Sequence, residues 1–181
     1  MKPGNGQQTG GARRTGAGWV VSLATLGPLG RKLPAPGTWG ALAGTAWFAL
    51  FFRETGTAAL AVWSLATALA AVAVCGGAER RLARRDPGCV VLDEFVAMPL
   101  CFLNWRAVTV ADIGGWTPPF WAVLAAGFLL FRFFDILKPL GISRLQDLPG
   151  GWGVVADDIA AALAACASLH VLTAVAVALA R

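Results

Sequence analysis

Long apolar runs, separated by short charged stretches, dominate this sequence. A helix needs about 20 apolar residues to cross the hydrocarbon core of a bilayer. The second, fourth and fifth runs are long enough, whereas the first and third, of about 15 residues, also fit a buried core helix or a re-entrant segment. A mean hydropathy of +0.65 agrees with a membrane protein. The sequence therefore predicts an all-α, polytopic membrane helical bundle with about four to five apolar segments, at 38–52, 57–75, 89–104, 118–137 and 154–180.

A glycine-rich stretch precedes the apolar segments. Residues 1–18 hold six glycines and no apolar pattern, a composition that cannot bury enough apolar surface to fold. We expect a disordered, Gly-rich cytoplasmic tail at 1–18, followed by one membrane-embedded helical domain at 19–181.

Basic residues are distributed unevenly between the loops. If each segment crosses the membrane once, eleven lysines and arginines fall on one side and three on the other. The positive-inside rule places the richer side, formed by 1–37, 76–88 and 138–153, in the cytoplasm. Topology and contact with anionic lipid headgroups then explain the net charge of +5. We therefore expect no nucleic-acid partner.

The cysteines and the single histidine give no sign of a catalytic or metal role. Cys75, Cys89, Cys101 and Cys166 lie in apolar sequence without CxxC spacing, so neither a disulfide framework nor a zinc site is indicated. His170 lies midway along the fifth segment, and we expect it to pack or to hydrogen-bond between helices.

Half of the carboxylates converge on the predicted cytoplasmic face. Asp93 and Glu94 begin the third segment, Asp135 ends the fourth, and Asp157 with Asp158 begins the fifth. A charge inside apolar sequence costs a few kcal/mol unless it is paired or bound. The sequence therefore predicts a polar site at this face, although acidic residues can also cap a helix N-terminus.

Two kinds of positive charge could balance these carboxylates. Arg132 and Lys138 flank Asp135 at three residues on either side, so Arg132 and Asp135 share one helix face. That pair could be purely structural. The second candidate is a divalent cation, and oxygen ligands favour Mg²⁺ or Mn²⁺ over zinc. Because Mg²⁺ commonly completes its shell with phosphate oxygens, the pattern suggests phosphate chemistry.

Glycine-rich stretches precede the first and fifth segments. We interpret both as flexible backbone leading into a helix N-terminus, where free N–H groups and the helix dipole favour an anion. Two basic residues stand near the first stretch. The candidate phosphate-binding residues are Arg31, Lys32, Gly37, Thr38, Gly40, Gly151 and Gly153.

Four ordered motifs resemble those of the phosphatidylglycerophosphatase A family. They are "PGTWG" at 36–40, "LDEFVAM" at 92–98, "FRFFDILKP" at 131–139 and "GGWGVVADDIAA" at 150–161. The resemblance implies an all-helical lipid phosphatase of the bacterial inner membrane, with its site on the cytoplasmic side. Its implied activity is Mg²⁺-dependent hydrolysis of phosphatidylglycerophosphate to phosphatidylglycerol and inorganic phosphate.

The same resemblance implies roles for individual residues. It implies that Mg²⁺ is held by four carboxylates, that Arg132 or Lys138 stabilises the phosphoryl oxygens, and that Asp135 orients Arg132 or takes a metal position. The implied metal ligands are Asp93, Glu94, Asp157 and Asp158. The implied catalytic set is Asp93, Glu94, Arg132, Asp135, Lys138, Asp157 and Asp158. Alanine replaces a residue common in the family at Ala41, Ala97 and Ala162, and we expect these changes to affect packing rather than chemistry.

A small transporter or channel with a cation site at the cytoplasmic face is the alternative function. It would place acidic residues near the midplane or at both faces, but the outer half contains only Glu54 and Asp112. The sequence leaves the oligomeric state open, along with the activity on other phosphate monoesters.

Overall fold

The computed structural model describes residues 15–181, and the regular structure of this range is helical. Most of the predicted tail, 1–14, lies outside the described residues, but residues 15–18 belong to the first helix rather than to the tail. A π-helical turn at Phe48–Phe52 extends α3, and 3-10 helices occupy Met98–Phe102 and Pro139–Asp147. The α-helices are α1 Thr15–Ala24, α2 Leu29–Lys32, α3 Pro36–Trp47, α4 Thr57–Leu82, α5 Leu92–Ala97, α6 Trp105–Thr109, α7 Phe120–Leu137 and α8 Gly151–Leu179.

Three helices in the described range, α4, α7 and α8, are long and apolar enough to cross a membrane. They correspond to the second, fourth and fifth apolar segments. This confirms the prediction that those three segments are long enough to cross a membrane. The first segment forms α3 with its π-helical turn, and the third is divided between α5 and the 3-10 helix at Met98–Phe102. The total number of crossings stays a prediction.

Small residues allow these helices to pack closely. Ala161, Ala162 and Ala165 of α8 are fully buried, and a side chain at Gly127 of α7 would overlap with the ring of Phe102. Helix association in lipid depends on such close packing, since burial from water no longer drives it. The small residues thus bring α7 and α8 against the centre of the bundle.

The bundle has two polar ends. Each end brings together loops that the sequence analysis assigned to the same side of the membrane. At one end Arg106 bonds to Glu54 at 2.7 Å, and the guanidinium of Arg53 lies 4.7 Å from the ring centroid of Phe120. At the other end Arg85 donates to the backbone carbonyl of Gln146. Loops that the charge pattern predicted to share a side therefore contact each other.

The third apolar segment connects the two ends although it is short. It begins at the acidic end with α5, and Trp105 just beyond it packs 4.7 Å from Phe120 at the other end. The 3-10 helix at Met98–Phe102 is buried throughout. Because other helices surround this segment, it does not need the length of a lipid-exposed span.

One further contact supports the start of α5, and another lies just beyond the 3-10 helix at Met98–Phe102. The amide of Val91 donates to the carbonyl of Ala24 at 2.9 Å, so the N-terminal segment braces the loop before α5. His170 Nε2 lies 2.9 Å from the carbonyl oxygen of Leu103, which confirms its predicted interhelical packing. The four cysteines are free, and three of them are buried.

Candidate functional site

Three carboxylates meet at one end of the bundle. Asp93 and Glu94 lie in the first turn of α5, and Asp158 projects from α8. One oxygen from each lies within 4.8 Å of the other two. Asp93 and Asp158 are each only 4% exposed. Within the described part of the chain, none of the three forms an ion pair. We call Asp93, Glu94 and Asp158 the carboxylate cluster.

The electrostatics of α5, which lies outside the three spanning helices, favour a bound cation. Burial raises the pKa of Asp93 to about 6, although the amide of Glu94 donates to Asp93 Oδ1 at 3.1 Å. Burial and the charge of Asp93 raise the pKa of Glu94 well above its ordinary value. Glu94 Oε2 is buried and has no hydrogen-bond partner in the described structure. Three clustered carboxylates with an unpaired buried oxygen fit a hard divalent cation such as Mg²⁺.

Asp157 and Asp158 do not cap α8. The helix begins at Gly151, three residues before the predicted start, so both aspartates lie about two turns inside it. Free N–H groups and the dipole effect are confined to the first turn. The capping interpretation is therefore wrong, and the two carboxylates need another reason to be buried.

Asp157 lies outside the carboxylate cluster and pairs with Lys138. Lys138 Nζ donates to Asp157 Oδ2, while Asp157 Oδ1 is buried without a partner in the described structure. Burial by itself would lower the pKa of Lys138, but the hydrogen bond and charge of Asp157 outweigh it, so this pKa is raised. Lys138 caps α7 in a left-handed conformation, with φ of 45°, and Pro139 then ends the helix. The structure does not join Asp157 to the other three predicted metal ligands.

Arg132 and Asp135 form the predicted pair on one face of α7. Arg132 Nη1 lies 2.6 Å from Asp135 Oδ2, and the two side chains are 17% and 13% exposed. Arg132 Nε is buried without a partner in the described structure. Asp135 therefore binds one nitrogen of the guanidinium, and Nε remains available to donate to another acceptor.

The "PGTWG" motif is helical, which corrects its interpretation as a flexible loop. Pro36 is the first residue of α3, and the left-handed residue Ala35 precedes it. Proline suits this position because its missing N–H would have no partner there. A Cβ at Gly37 would overlap with Glu94 Oε1 and lie 3.2 Å from Arg132 Nη1. This motif therefore does reach the carboxylate cluster, through its backbone.

Gly151 and Gly153 are also helical, because α8 begins at Gly151, and this corrects the second predicted loop. A side chain at Gly151 would overlap with the carbonyl of Val72 on α4, and one at Gly153 would lie 2.7 Å from the carbonyl oxygens of Gln146 and Leu148. These glycines permit close backbone packing, and their nearest neighbours in the described structure are backbone atoms rather than carboxylates.

The remaining predicted phosphate-binding residues are less directly connected to the site. Arg31 and Lys32 form the end of α2 and are exposed. Thr38 is partly buried, and its amide donates to the carbonyl of Ala35 at 3.0 Å. Gly40 packs against Val91, and a Cβ at this glycine would lie 2.9 Å from the Val91 carbonyl oxygen and 3.5 Å from Glu94 Oε2. A phosphate-binding role for these four residues stays a prediction.

The sequence analysis missed the contacts of Arg85, because the basic residues of 76–88 were explained by topology and lipid headgroups alone. Its guanidinium donates to the carbonyls of Gln146 and Leu148, and Gln146 Nε2 lies 3.4 Å from Asp86 Oδ2. These contacts join the loop before α5 to the loop before α8, beside a polar cavity of about 380 Å³. The partners are about 60 residues apart in sequence, so no local pattern could have revealed them.

Comparison with known proteins gives one family. The sequence profile of the family described as Phosphatidylglycerophosphatase A matches residues 22–173. The chain is 34% identical over 131 residues to Phosphatidylglycerophosphatase A of Haemophilus influenzae, covering 72% of this chain and 74% of the relative. It is 29% identical over 143 residues to Phosphatidylglycerophosphatase A of Escherichia coli, covering 75% of this chain and 72% of that relative.

A third relative has a different name. The chain is 40% identical over 132 residues to a "Putative phosphatidylinositol-3-phosphatase" of Bacteroides thetaiotaomicron, covering 70% of this chain and 76% of the relative. No solved structure matches the chain. The family profile nevertheless covers all four motifs and every carboxylate of the site. The chain belongs to the phosphatidylglycerophosphatase A family.

Proposed function

We propose that this protein is a Mg²⁺-dependent lipid phosphatase that hydrolyses phosphatidylglycerophosphate to phosphatidylglycerol and inorganic phosphate. The family match and the names of two relatives support the reaction. The observation that carries the proposal is the carboxylate cluster, which shares one end of the bundle with two cationic side chains, Arg132 and Lys138.

In this proposal Asp93, Glu94 and Asp158 hold the metal ion. Bound Mg²⁺ would supply Lewis-acid polarisation of a phosphoryl oxygen and would lower the pKa of a bound water. Asp157 was predicted as a fourth ligand, but we assign it to Lys138, its ion-pair partner in the described part of the chain.

Arg132 and Lys138 bind the phosphate of the substrate. Both are cations held by a carboxylate, Arg132 by Asp135 and Lys138 by Asp157. Preorganised cations stabilise the charge that develops on the phosphoryl oxygens, and they need no reorganisation during the reaction. The two supporting carboxylates orient the cations and compensate the cost of burying them.

The substrate is a lipid, and the position of the site at one end of the bundle suits it. Exposed tryptophans lie near both ends, with Trp39 and Trp152 at the site end and Trp63 and Trp121 at the other. Tryptophan prefers the membrane–water interface. We infer that the site lies at the interfacial depth of a lipid phosphate, and the basic loops at that end favour the cytoplasmic side of the bacterial inner membrane.

The transporter or channel alternative is not supported. The two acidic residues at the far end are used locally, since Glu54 pairs with Arg106 and Asp112 Oδ1 accepts a hydrogen bond from the amide of Gly115 at 2.7 Å. Membership of a phosphatase family also argues against transport.

Phosphatidylinositol 3-phosphate is the second candidate substrate, because the Bacteroides relative is named as a phosphatidylinositol-3-phosphatase. Both lipids carry a phosphate monoester. The deciding experiment measures phosphate release from each lipid by the purified protein in detergent micelles, with Mg²⁺ and with EDTA. We expect Mg²⁺-dependent release at a kcat/KM higher for phosphatidylglycerophosphate. Equal or higher kcat/KM for the inositol lipid would overturn the substrate assignment, and release that persists in EDTA would overturn the metal.

The same assay tests which side of the membrane carries the site. EDTA does not cross membranes, so external EDTA should abolish release in sealed inverted vesicles from cells expressing the protein. It should leave release intact in sealed right-side-out vesicles loaded with substrate and Mg²⁺. The reverse pattern would place the site on the outer face.

A further inference from the structure

Gly37 is unlike the other glycines of α3. Gly40 and Gly44 lie on the same helix face, but each lies against backbone. A Cβ at Gly40 would lie 2.9 Å from the Val91 carbonyl oxygen and in ordinary contact with Glu94 Oε2 at 3.5 Å, and one at Gly44 would lie 2.5 Å from the Phe95 carbonyl oxygen. The atoms next to Gly37 are instead the ends of two charged side chains, Glu94 and Arg132.

A side chain at position 37 would enter the site itself. It would overlap with Glu94 Oε1, a member of the carboxylate cluster, and lie 3.2 Å from Arg132 Nη1 and 3.4 Å from Glu94 Cδ. Glu94 would have to move, and it can do so through its own rotatable bonds at little cost to the fold. At Gly44 the obstacle is backbone, so there the packing of α3 on α5 would have to change.

We propose that Gly37 is a positioning residue, whose missing side chain lets the Glu94 carboxylate stay in the carboxylate cluster beside the Arg132 guanidinium. This inference rests on the proposed function for its catalytic consequence. Its structural part, that position 37 controls where Glu94 lies, does not depend on the identity of the substrate.

The proposal predicts that Gly37→Ala damages the site and spares the fold. Small displacements of a group that supports a metal or a reacting phosphate cost about 10- to 100-fold in metal affinity or rate. We expect Mn²⁺ affinity to fall about tenfold and kcat about 100-fold, while the unfolding temperature in detergent stays near that of wild type.

Two control variants separate positioning from packing. Gly56→Ala places a Cβ where nothing lies within 4 Å, and it should leave activity, Mn²⁺ affinity and unfolding temperature unchanged. Gly44→Ala should mainly lower the unfolding temperature, because its obstacle is backbone.

Shortening Glu94 supplies the decisive test. Asp is one methylene shorter than Glu, so Glu94→Asp vacates the space that a side chain at position 37 needs. In a double-mutant cycle, Gly37→Ala added to Glu94→Asp should lower Mn²⁺ affinity by less than about threefold, compared with about tenfold in wild type. If Gly37→Ala does not fold alone, its effect in the Glu94→Asp background can still be measured, and a loss of about tenfold there would contradict the proposal.

Two results would overturn the proposal. One is wild-type Mn²⁺ affinity in Gly37→Ala, and the other is an equal loss from Gly37→Ala in the wild-type and Glu94→Asp backgrounds. Mn²⁺ binding is measured without substrate. If the protein hydrolyses neither lipid, the proposed function is refuted. The Mn²⁺ measurements still decide whether Gly37 positions Glu94.

Discussion

Asp157 and Asp158 are neighbours in sequence but have different partners in the structure. Successive residues of an α-helix point about 100° apart, so Asp158 reaches the carboxylate cluster while Asp157 reaches Lys138. The sequence could predict that both are buried near polar partners, because two carboxylates in apolar sequence need compensation. It could not divide them between a metal site and an ion pair, because that depends on which helices pack beside each face of α8.

The pair of Lys138 and Asp157 leads to a prediction at this scale. Lys138→Met removes the cation from the carboxylate of Asp157, which is 3% exposed. Removing one partner of a buried ion pair lowers the free energy of unfolding by about 3 kcal/mol. Adding Asp157→Asn removes the stranded charge, so the double variant should regain part of the free energy of unfolding but not the phosphatase activity. The measurement is unfolding in mixed micelles titrated with SDS. A double variant no more stable than Lys138→Met would show that the pair is not the source of the loss.

At the scale of helices and loops, hydropathy identified the three long spans but misplaced two helix starts. Proline and glycine were interpreted as loop residues before α3 and α8, yet Pro36 is the first residue of α3 and Gly151 the first residue of α8. Proline suits the first turn of a helix because of its own backbone. Glycine suits a place where two backbones approach closely. The close approach is a property of the neighbouring helix, so the sequence of the segment alone could not reveal it.

Arg85 provides the test at this scale. Its hydrogen bonds join the loop that leads to Asp93 with the loop that leads to α8, so Arg85→Gln should lower kcat about tenfold by loosening the support of the site. The exposed neighbour Arg84 makes no side-chain hydrogen bond or ion pair in the part of the chain that is described, and Arg84→Gln is the matched control. Comparable activity in the two variants would mean that Arg85 acts only as a surface charge.

For the whole molecule, loops that the sequence analysis placed on the same side contact each other at each end of the bundle. Arg106 meets Glu54 at one end, and Arg85 meets Gln146 at the other. Hydropathy could not show how the third segment connects these ends, since a short buried segment lacks the length signal of a lipid-facing helix. The acidic residues at the predicted cytoplasmic ends are the sequence feature that anticipated the site most directly, because buried charge in a membrane protein is costly unless it has a function or a partner.

The central claim is that Asp93, Glu94 and Asp158 together hold one divalent cation. Its most direct test is Mn²⁺ binding to the purified protein in detergent micelles, followed by electron paramagnetic resonance with Mg²⁺ as competitor. Wild type and the control Asp147→Asn, which changes an exposed carboxylate, should bind one Mn²⁺ per chain that Mg²⁺ displaces. Asp158→Asn should bind it at least about tenfold more weakly. If Asp158→Asn binds Mn²⁺ as tightly as wild type, the carboxylate cluster is not the metal site and the account of the mechanism is wrong.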